Sequence, residues 1–529
     1  MNAKSLLMQI EKDSLKLMNL AWVIAIVFSF VVRIPFLTDT SYRWRPLQTE
    51  MTAYWFVREG IDLLNYQTPV YGPPWQIPFE FPLFQATAAI LFRAGLGSFD
   101  FVCRLTALLY FYLSAFFLYL LCRKIFSDPP TSFLILSLYL WLPYNIHYST
   151  EPLIDYLALA LALAYLYFIL LWLDDRSSFW KPLCAVISGS LGILVKPTTM
   201  PVVIIPILVF VLRDILTVYG KDFRRPFDSQ NLLAKIWSQR SYWLTLLILA
   251  VIPVLVGGIW TRHADLIKEQ SVLTQWLTSR VLVKWNFGTW ALRADQNIWS
   301  NYISEAERHL LPYGLSVFAV LGLFIAVDII LFSSETAERR LFIVSVFAST
   351  GLVLLIFLNL YRHEYYYIAL SASLAILGGY GLARFLQLSQ KKPPIFTFIF
   401  VIWAIIFLAF NAKDYGMYRS AAVAENQKLE KTIASARRVQ KFVARDEWVV
   451  VVEWDWNPSP IYRLERKGMV VTPRELKKPL CQVLAAERFT LVVVANRSYA
   501  RNEELLDLTF KCFKSQTEVL PGVYVVTHE

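Results

Sequence analysis

The sequence predicts a polytopic α-helical membrane protein that ends in a small α/β domain. Three observations carry that reading. The 529 residues are 57% hydrophobic and only 17% charged, against about 25% charged in soluble domains, and the mean hydropathy is +0.47. Apolar runs of about 18 or more residues, the length a helix needs to cross a bilayer, recur up to residue 411. Beyond residue 412 the pattern changes to short β-branched runs between helical stretches, as expected of a mainly parallel sheet.

About eleven spans are expected, near 18–37, 101–122, 131–147, 151–173, 181–196, 199–213, 241–260, 310–332, 341–360, 365–387 and 394–411. Pro197 stands between the fifth and sixth, which read also as one kinked helix. Residues 1–19 are polar and lack an apolar core ending in small residues, so the first span is expected to act as a signal anchor. Residues 82–97 are apolar but short and contain Arg93, which suggests an interfacial or re-entrant helix at the outer surface. Residues 264–309 scatter Trp276, Trp285, Trp290 and Trp299 among charges, as segments at headgroup level do.

The net charge of +11 reads as the lysine and arginine of cytoplasmic loops. There is no basic tail and no nucleic-acid motif, so no nucleic-acid partner is expected. With a cytoplasmic N-terminus, Arg123-Lys124, Arg176 to Lys181, KDFRR, Arg339-Arg340 and Lys391-Lys392 all fall inside. The odd span count then places the tail outside, in a multi-pass protein of the inner (plasma) membrane. The loop 38–100, Thr150-Glu151, Lys196-Pro197, Arg262-His263 and Tyr361 to Tyr367 share that outer face. The domain division is 1–411, membrane-embedded, and 412–529, extracytoplasmic. In the tail, WVVVVEW, GMVVT, TLVVVA and GVYVVT are the expected strands, preceded by a polar helix near 420–443. No glycine-rich phosphate loop opens a tail helix, so nucleotide binding is not expected there. Cys103, Cys122 and Cys184 lie in or beside apolar runs, and none of the five cysteines has metal-ligand spacing. Cys481 and Cys512 are in the tail, where an oxidising compartment permits a disulfide.

The loop 38–100 is far longer than a connector needs to be, which marks it as functional. Glu50, in QTEMTAYWF, reads as a general base or as a solvated loop carboxylate. Glu80, in PFEFPLFQ, is flanked by prolines and aromatics, where burial demands a partner or a metal. Glu151 and Asp155 stand one turn apart in STEPLIDY. The helix dipole alone accounts for Glu151, whereas Asp155 lies deeper and is expected to be functional or paired. Lys196, in LVKPTTMP, interrupts an apolar region and calls for a phosphate, a carboxylate or a snorkelled position. In NLYRHEYYY, Arg362 offers a planar fork to a phosphate. His363 and Glu364 are candidates to position substrate, and Tyr365 to stack on a ring or join an interfacial belt. A Glu80–His263 metal pair is conceivable, without any spacing argument for it.

At these residues the chain resembles the GT-C superfamily of integral-membrane glycosyltransferases, especially the protein O-mannosyltransferases and lipid A aminoarabinose transferases. The likeness is one of order and spacing: one span, a long outer loop, a P-L-F run opening an interfacial helix, and Arg104-Leu105 starting a span. T-E-P-L-I-D, K-P-T and H-E-Y-Y-Y follow, then a tail with D-W-N-P and Y-x-x-x-R-K-G. The resemblance implies transfer of a sugar from a polyprenyl-phosphate donor to a lipid, glycan or protein hydroxyl at the outer face, with inversion. It implies a loop carboxylate as base. The family's Asp-Glu pair falls on Thr49-Glu50, which leaves the base open among Glu50, Glu80 and Asp39. Arg45, Lys196 and Arg362 would meet charge on the leaving phosphate. Asp39, Glu151, Asp155, His363, Glu364 and Tyr365 would bind substrate. Some members use a divalent metal and others none. The alternatives are a transporter or flippase of lipid-linked sugars, and a non-catalytic envelope-assembly protein. Transporters show internal repeats and midplane sites, which this sequence lacks.

Overall fold

The protein is described here by a computed structural model. The structure describes residues 20, 22–40, 43–126, 128–223, 238–309, 337–389, 393–453, 455–475, 480–495 and 500–528. The expected span at 310–332 lies outside the described residues.

A first apolar helix, α1 (Trp22–Leu37), leads into the long loop, which begins with α2 (Trp44–Glu59). Pro46 sits in the first turn of α2, where a missing N–H breaks no helical bond. Gly60, at φ 107°, ends the helix in a conformation that glycine adopts without a Cβ penalty. The 11 residues of α3 (Leu83–Arg93) extend only about 16 Å, short of a bilayer. Arg93 ties the end of α3 to α2 by donating to the Phe56 carbonyl at 2.7 Å.

The bundle continues with α4 (Phe99–Ile125), α5 (Pro129–Trp141), α6 (Pro143–Tyr148), α7 (Asp155–Asp174), α8 (Trp180–Val195), α9 (Pro201–Phe223) and α10 (Arg240–Lys268). It closes with α11 (Ala337–Ile356), α12 (Ile368–Ser389) and α13 (Pro393–Val439). Asp128 caps α5 by accepting the Thr131 N–H at 3.1 Å. The expected span at 131–147 is divided at Leu142, before Pro143. The fifth and sixth expected spans are separate helices, joined by the turn Lys196–Met200. Among the described residues five helices are long and apolar enough to cross a membrane: Phe99–Ile125, Asp155–Asp174, Arg240–Lys268, Ala337–Ile356 and Glu364–Gln387. α7 is central, and α10 exposes Val254, Leu255 and Ile259 on its outer side, as a lipid-facing helix does. Gly379 lets α12 meet α5, since a Cβ there would lie 2.5 Å from the Ile135 Cα.

Arg33 fixes α1 although no carboxylate among the described residues bonds to it. Its guanidinium donates to Ser149 Oγ at 2.8 Å, to the Ser29 carbonyl at 2.7 Å and to the Leu140 carbonyl at 2.7 Å. It also lies 4.5 Å from the Phe111 ring centroid. Hydrogen bonds on this scale are what permits a fully buried cation.

α13 runs for 47 residues through position 412 without a break, so the polar helix expected near 420–443 continues the last apolar helix. Five strands follow: β1 (Trp448–Val452), β2 (Gly468–Val471), β3 (Phe489–Val494), β4 (Ser515–Leu520) and β5 (Val523–Thr527). Their order is β2-β1-β3-β5-β4. β1 pairs in parallel with β2 and β3, while β5 is antiparallel to both β3 and β4. β4, whose sequence SQTEVL carries little apolar signal, is a strand the sequence reading did not anticipate. Cys481 and Cys512 are joined by a disulfide.

The tail and the first loop share one core. The Val470 N–H donates to the Val70 carbonyl at 2.8 Å, and Gly72 N–H donates to the Gly468 carbonyl at 3.3 Å. The free edge of β2 is therefore covered by the loop, which removes an exposed strand edge. Leu47, Met51, Val70, Tyr71 and Trp75 pack with Val449 to Val452 and Met469 in a single buried cluster.

Candidate active site

The first turn of α2, the loop before α3, the start of α7, the turn after α8, the end of α10 and the segment before α12 converge at one end of the bundle. Glu80 is the centre of the convergence. Arg45 Nη2 donates to Glu80 Oε2 at 2.6 Å, and Gln85 Nε2 donates to Oε1 at 2.9 Å. The backbone around Glu80 is pinned by Tyr66, whose hydroxyl donates to the Glu80 carbonyl at 2.7 Å and accepts the Phe79 N–H at 2.7 Å. Glu80 retains 8% exposure. Burial alone would lower the pKa of Arg45, but Glu80 and the Tyr365 phenol outweigh it and hold the guanidinium above its ordinary value.

Lys196 and Asp155 form an ion pair beside this group. The Lys196 ammonium lies 4.1 Å from the Tyr366 ring centroid and 5.1 Å from that of Tyr365, close enough for cation–π attraction. Lys268, the last residue of α10, stands 5.8 Å from the Phe79 ring centroid, as does the Arg45 guanidinium. Both lysines lie within electrostatic reach of Glu80. Three cations, two carboxylates and two tyrosine rings are thus gathered on one carboxylate-centred patch, an arrangement suited to an anion and a ring-shaped ligand.

The other candidates fall into supporting clusters. Glu364 accepts from Arg43 Nη1 at 3.1 Å and pairs with the Tyr148 hydroxyl, while its carbonyl accepts from Tyr144 at 2.6 Å. Asp39 accepts Arg419 Nη1 on both oxygens at 2.8 Å and Asn426 Nδ2 at 2.8 Å, which ties the loop to α13. Glu151 meets Arg104 at 3.4 Å, and Glu50, with no exposed surface, acts on the same arginine. Thr49, where the Asp of the resemblance would fall, turns its hydroxyl back to the Arg45 carbonyl at 3.3 Å.

Arg362 is exposed, with its guanidinium within electrostatic reach of Tyr302. The His363 ring lies 5.6 Å from Trp285 and stacks on Tyr365 at 5.8 Å. Burial, and then Arg362, hold its imidazole below the ordinary value of 6.5.

A divalent metal does not fit these residues. Glu80 is bonded by two N–H donors, and His263 turns Nε2 to the Leu64 carbonyl at 2.9 Å. Among the described residues no group of three or more His, Cys, Asp or Glu is placed to hold a metal ion.

Lys268, Gln85, Tyr148, Arg419 and Asn426 were not singled out from the sequence. The rule that flagged Lys196, a cation interrupting or closing an apolar run, applies equally to Lys268.

Residues 78–219, which include Glu80, Glu151, Asp155 and Lys196, match the family described as dolichyl-phosphate-mannose-protein mannosyltransferase. Over its length the chain is similar to ArnT from Cupriavidus metallidurans, solved bound to undecaprenyl phosphate. The two are 12% identical with a TM-score of 0.63, over 96% of this chain and 98% of that one. This is the GT-C fold. Two further structures share the GT-C fold. AglB, the oligosaccharyltransferase of Archaeoglobus fulgidus, solved with an inhibitory peptide and a dolichol-phosphate, is 12% identical with a TM-score of 0.53, over 96% of this chain and 74% of that one. The arabinofuranosyltransferase AftD from Mycobacteria is 13% identical with a TM-score of 0.51, over 96% of this chain but only 40% of its own length. No curated protein matches the chain by sequence.

Proposed function

We propose that the protein is a membrane glycosyltransferase that moves a sugar from a polyprenyl-phosphate donor to a hydroxyl of a lipid, glycan or protein acceptor, with inversion. The observation that carries this reading is the convergence of Arg45, Lys196 and Lys268 on Glu80, beside Tyr365 and Tyr366, at one end of a GT-C bundle. In the transfer the acceptor oxygen bonds to the anomeric carbon as the carbon–phosphate-oxygen bond breaks. The electron pair leaves with the phosphate, where the three cations meet the developing charge. The acceptor proton passes to Glu80.

Glu80 is favoured over the other open carboxylates because it is the one in electrostatic reach of both Lys196 and Lys268, whereas Glu50 is wholly buried near Arg104 and Asp39 ties the loop to α13. Lys268 takes the phosphate role expected of Arg362. Asp155 and Tyr365 remain beside the substrate, and Glu151, Glu364 and His363 support the elements that carry the site. In this reading residues 1–411 form the catalytic membrane domain in the inner (plasma) membrane, with the N-terminus cytoplasmic and residues 412–529 outside.

The test is turnover. Purified protein is incubated with radiolabelled polyprenyl-phosphate sugars and a membrane extract as acceptor. Wild type is expected to move label to a new product, and Glu80→Gln to lose at least about a hundredfold in rate. Undiminished transfer by Glu80→Gln would move the base elsewhere, and no transfer by wild type from any donor would sink the reading.

A further inference from the structure

Phe79, the residue before Glu80, begins a group of aromatic rings that leaves the ion cluster and ends in the tail. Trp456, in the loop after β1, lies 6.0 Å from Phe79 and stacks on Tyr71 at 5.6 Å. Trp276, from the segment after α10, stands edge-on to both, 6.0 Å from Tyr71 and 5.8 Å from Trp456. Three distant stretches of chain supply these four rings. The two tryptophans are half-buried, while Tyr71 is only 1% exposed.

Packing accounts for the rings but not for their polar atoms. Among the described residues, the Tyr71 hydroxyl and the Trp276 Nε1–H are both buried without a hydrogen-bond partner. Buried donors are nearly always satisfied, and one left without a partner costs about 1–3 kcal/mol. Burial, and then Glu475, push the Tyr71 phenol well above its ordinary value, so it stays protonated as a donor. The rim is charged: the exposed Arg474 guanidinium lies 3.7 Å over the Trp276 ring, and Lys268 lies over Phe79.

Half-buried indole rings, two donors without partners and a charged rim match a pyranose, which presents C–H faces to rings and hydroxyls to donors. An alkyl chain would leave both donors unsatisfied. We propose that Trp456, Trp276 and Tyr71 form the acceptor subsite, that the acceptor is a saccharide, and that its reacting hydroxyl is presented to Glu80. The proposal rests on the transferase reading above and adds to it the chemical class of the acceptor. It also gives the tail a direct share in the site, through Trp456.

The experiment is saturation-transfer difference NMR on the full-length protein in nanodiscs free of sugar-headed detergent. The probes are methyl α-D-mannopyranoside, methyl β-D-glucopyranoside, methyl α-D-galactopyranoside and the peptide Ala-Thr-Ala. At least one glycoside should receive saturation from wild type. Trp456→Ala and Trp276→Ala should each cut the effect by about fivefold or more, Trp456→Phe should restore most of it, and Tyr71→Phe should weaken it with no loss of melting temperature. No glycoside signal, signal from the peptide alone, or equal signals in wild type and both alanine variants would overturn the subsite. Binding through Trp456 without turnover of any donor would sink the transferase and leave the subsite. Transfer with the acceptor KM unchanged in both alanine variants would do the reverse.

Discussion

Val70 and Val470 are joined backbone to backbone, the Val470 N–H donating to the Val70 carbonyl at 2.8 Å, so the first loop is pinned by a single antiparallel bridge to the edge of the tail sheet. Met469 is fully buried beside that join and pairs with Tyr71. Met469→Ala should therefore destabilise by about 2–5 kcal/mol. Hydrogen exchange should speed up in residues 68–76 as well as in β2. Faster exchange confined to the tail would show that the two segments are not one unit.

Lys196 and Asp155 are buried together, which makes stability and function separable. Lys196→Met strands the Asp155 carboxylate and should cost about 3–5 kcal/mol. Adding Asp155→Leu should recover much of that stability but none of the transfer. Thermal unfolding and turnover on the same preparations decide it, and a double variant with recovered activity would make the pair purely structural.

Arg45 bonds to both Glu80 and Gln48, through different guanidinium nitrogens. A lysine cannot span both. Arg45→Ala should lower kcat/KM by about 10²–10³-fold, and Arg45→Lys by less. Equal activity in the two variants would show that the fork geometry contributes nothing.

His363 gives a stability term with a definite sign. Its imidazole is held below the ordinary value by burial and then by Arg362. As pH falls past about 6.5 the unfolded chain takes up a proton that the folded chain resists. The unfolded state then binds more protons, so stability falls with pH until the folded imidazole is charged as well. Melting temperature should drop through this window in wild type and drop less in His363→Gln. Identical slopes would assign the effect to other groups.

Much of the candidate cluster was legible because charge inside an apolar run is an anomaly that needs no partner to be noticed. Lys196, Asp155 and Glu80 each stood out alone, and the structure brings the three together with Arg45. The Val70–Val470 join gave no such signal. A backbone hydrogen bond leaves no trace in residue type, and both valines look like ordinary strand residues. The partners of Asp39, Arg419 and Asn426, lie on the far helix, and nothing local announces them. The break expected at residue 412 reflects hydropathy, which changes there while helix-forming character does not. β4 escaped because SQTEVL is exposed over most of its length and so lacks the alternation of a half-buried strand.

The unbroken α13 sets a phase as well as a length. At 1.5 Å per residue its 47 residues extend about 70 Å, more than twice the thickness of a bilayer's hydrocarbon core. It therefore behaves as a rigid shaft that fixes both the height and the heading of the sheet above the bundle. One residue inserted between positions 411 and 419 would turn everything beyond it by about 100°, swinging Arg419 off Asp39 and Trp456 away from Phe79. Seven inserted residues would restore the heading to within about 20° but lift the sheet by about 10 Å. Lengthening this helix thus separates the facing of the tail from its distance to Glu80, two quantities that no point substitution can vary independently.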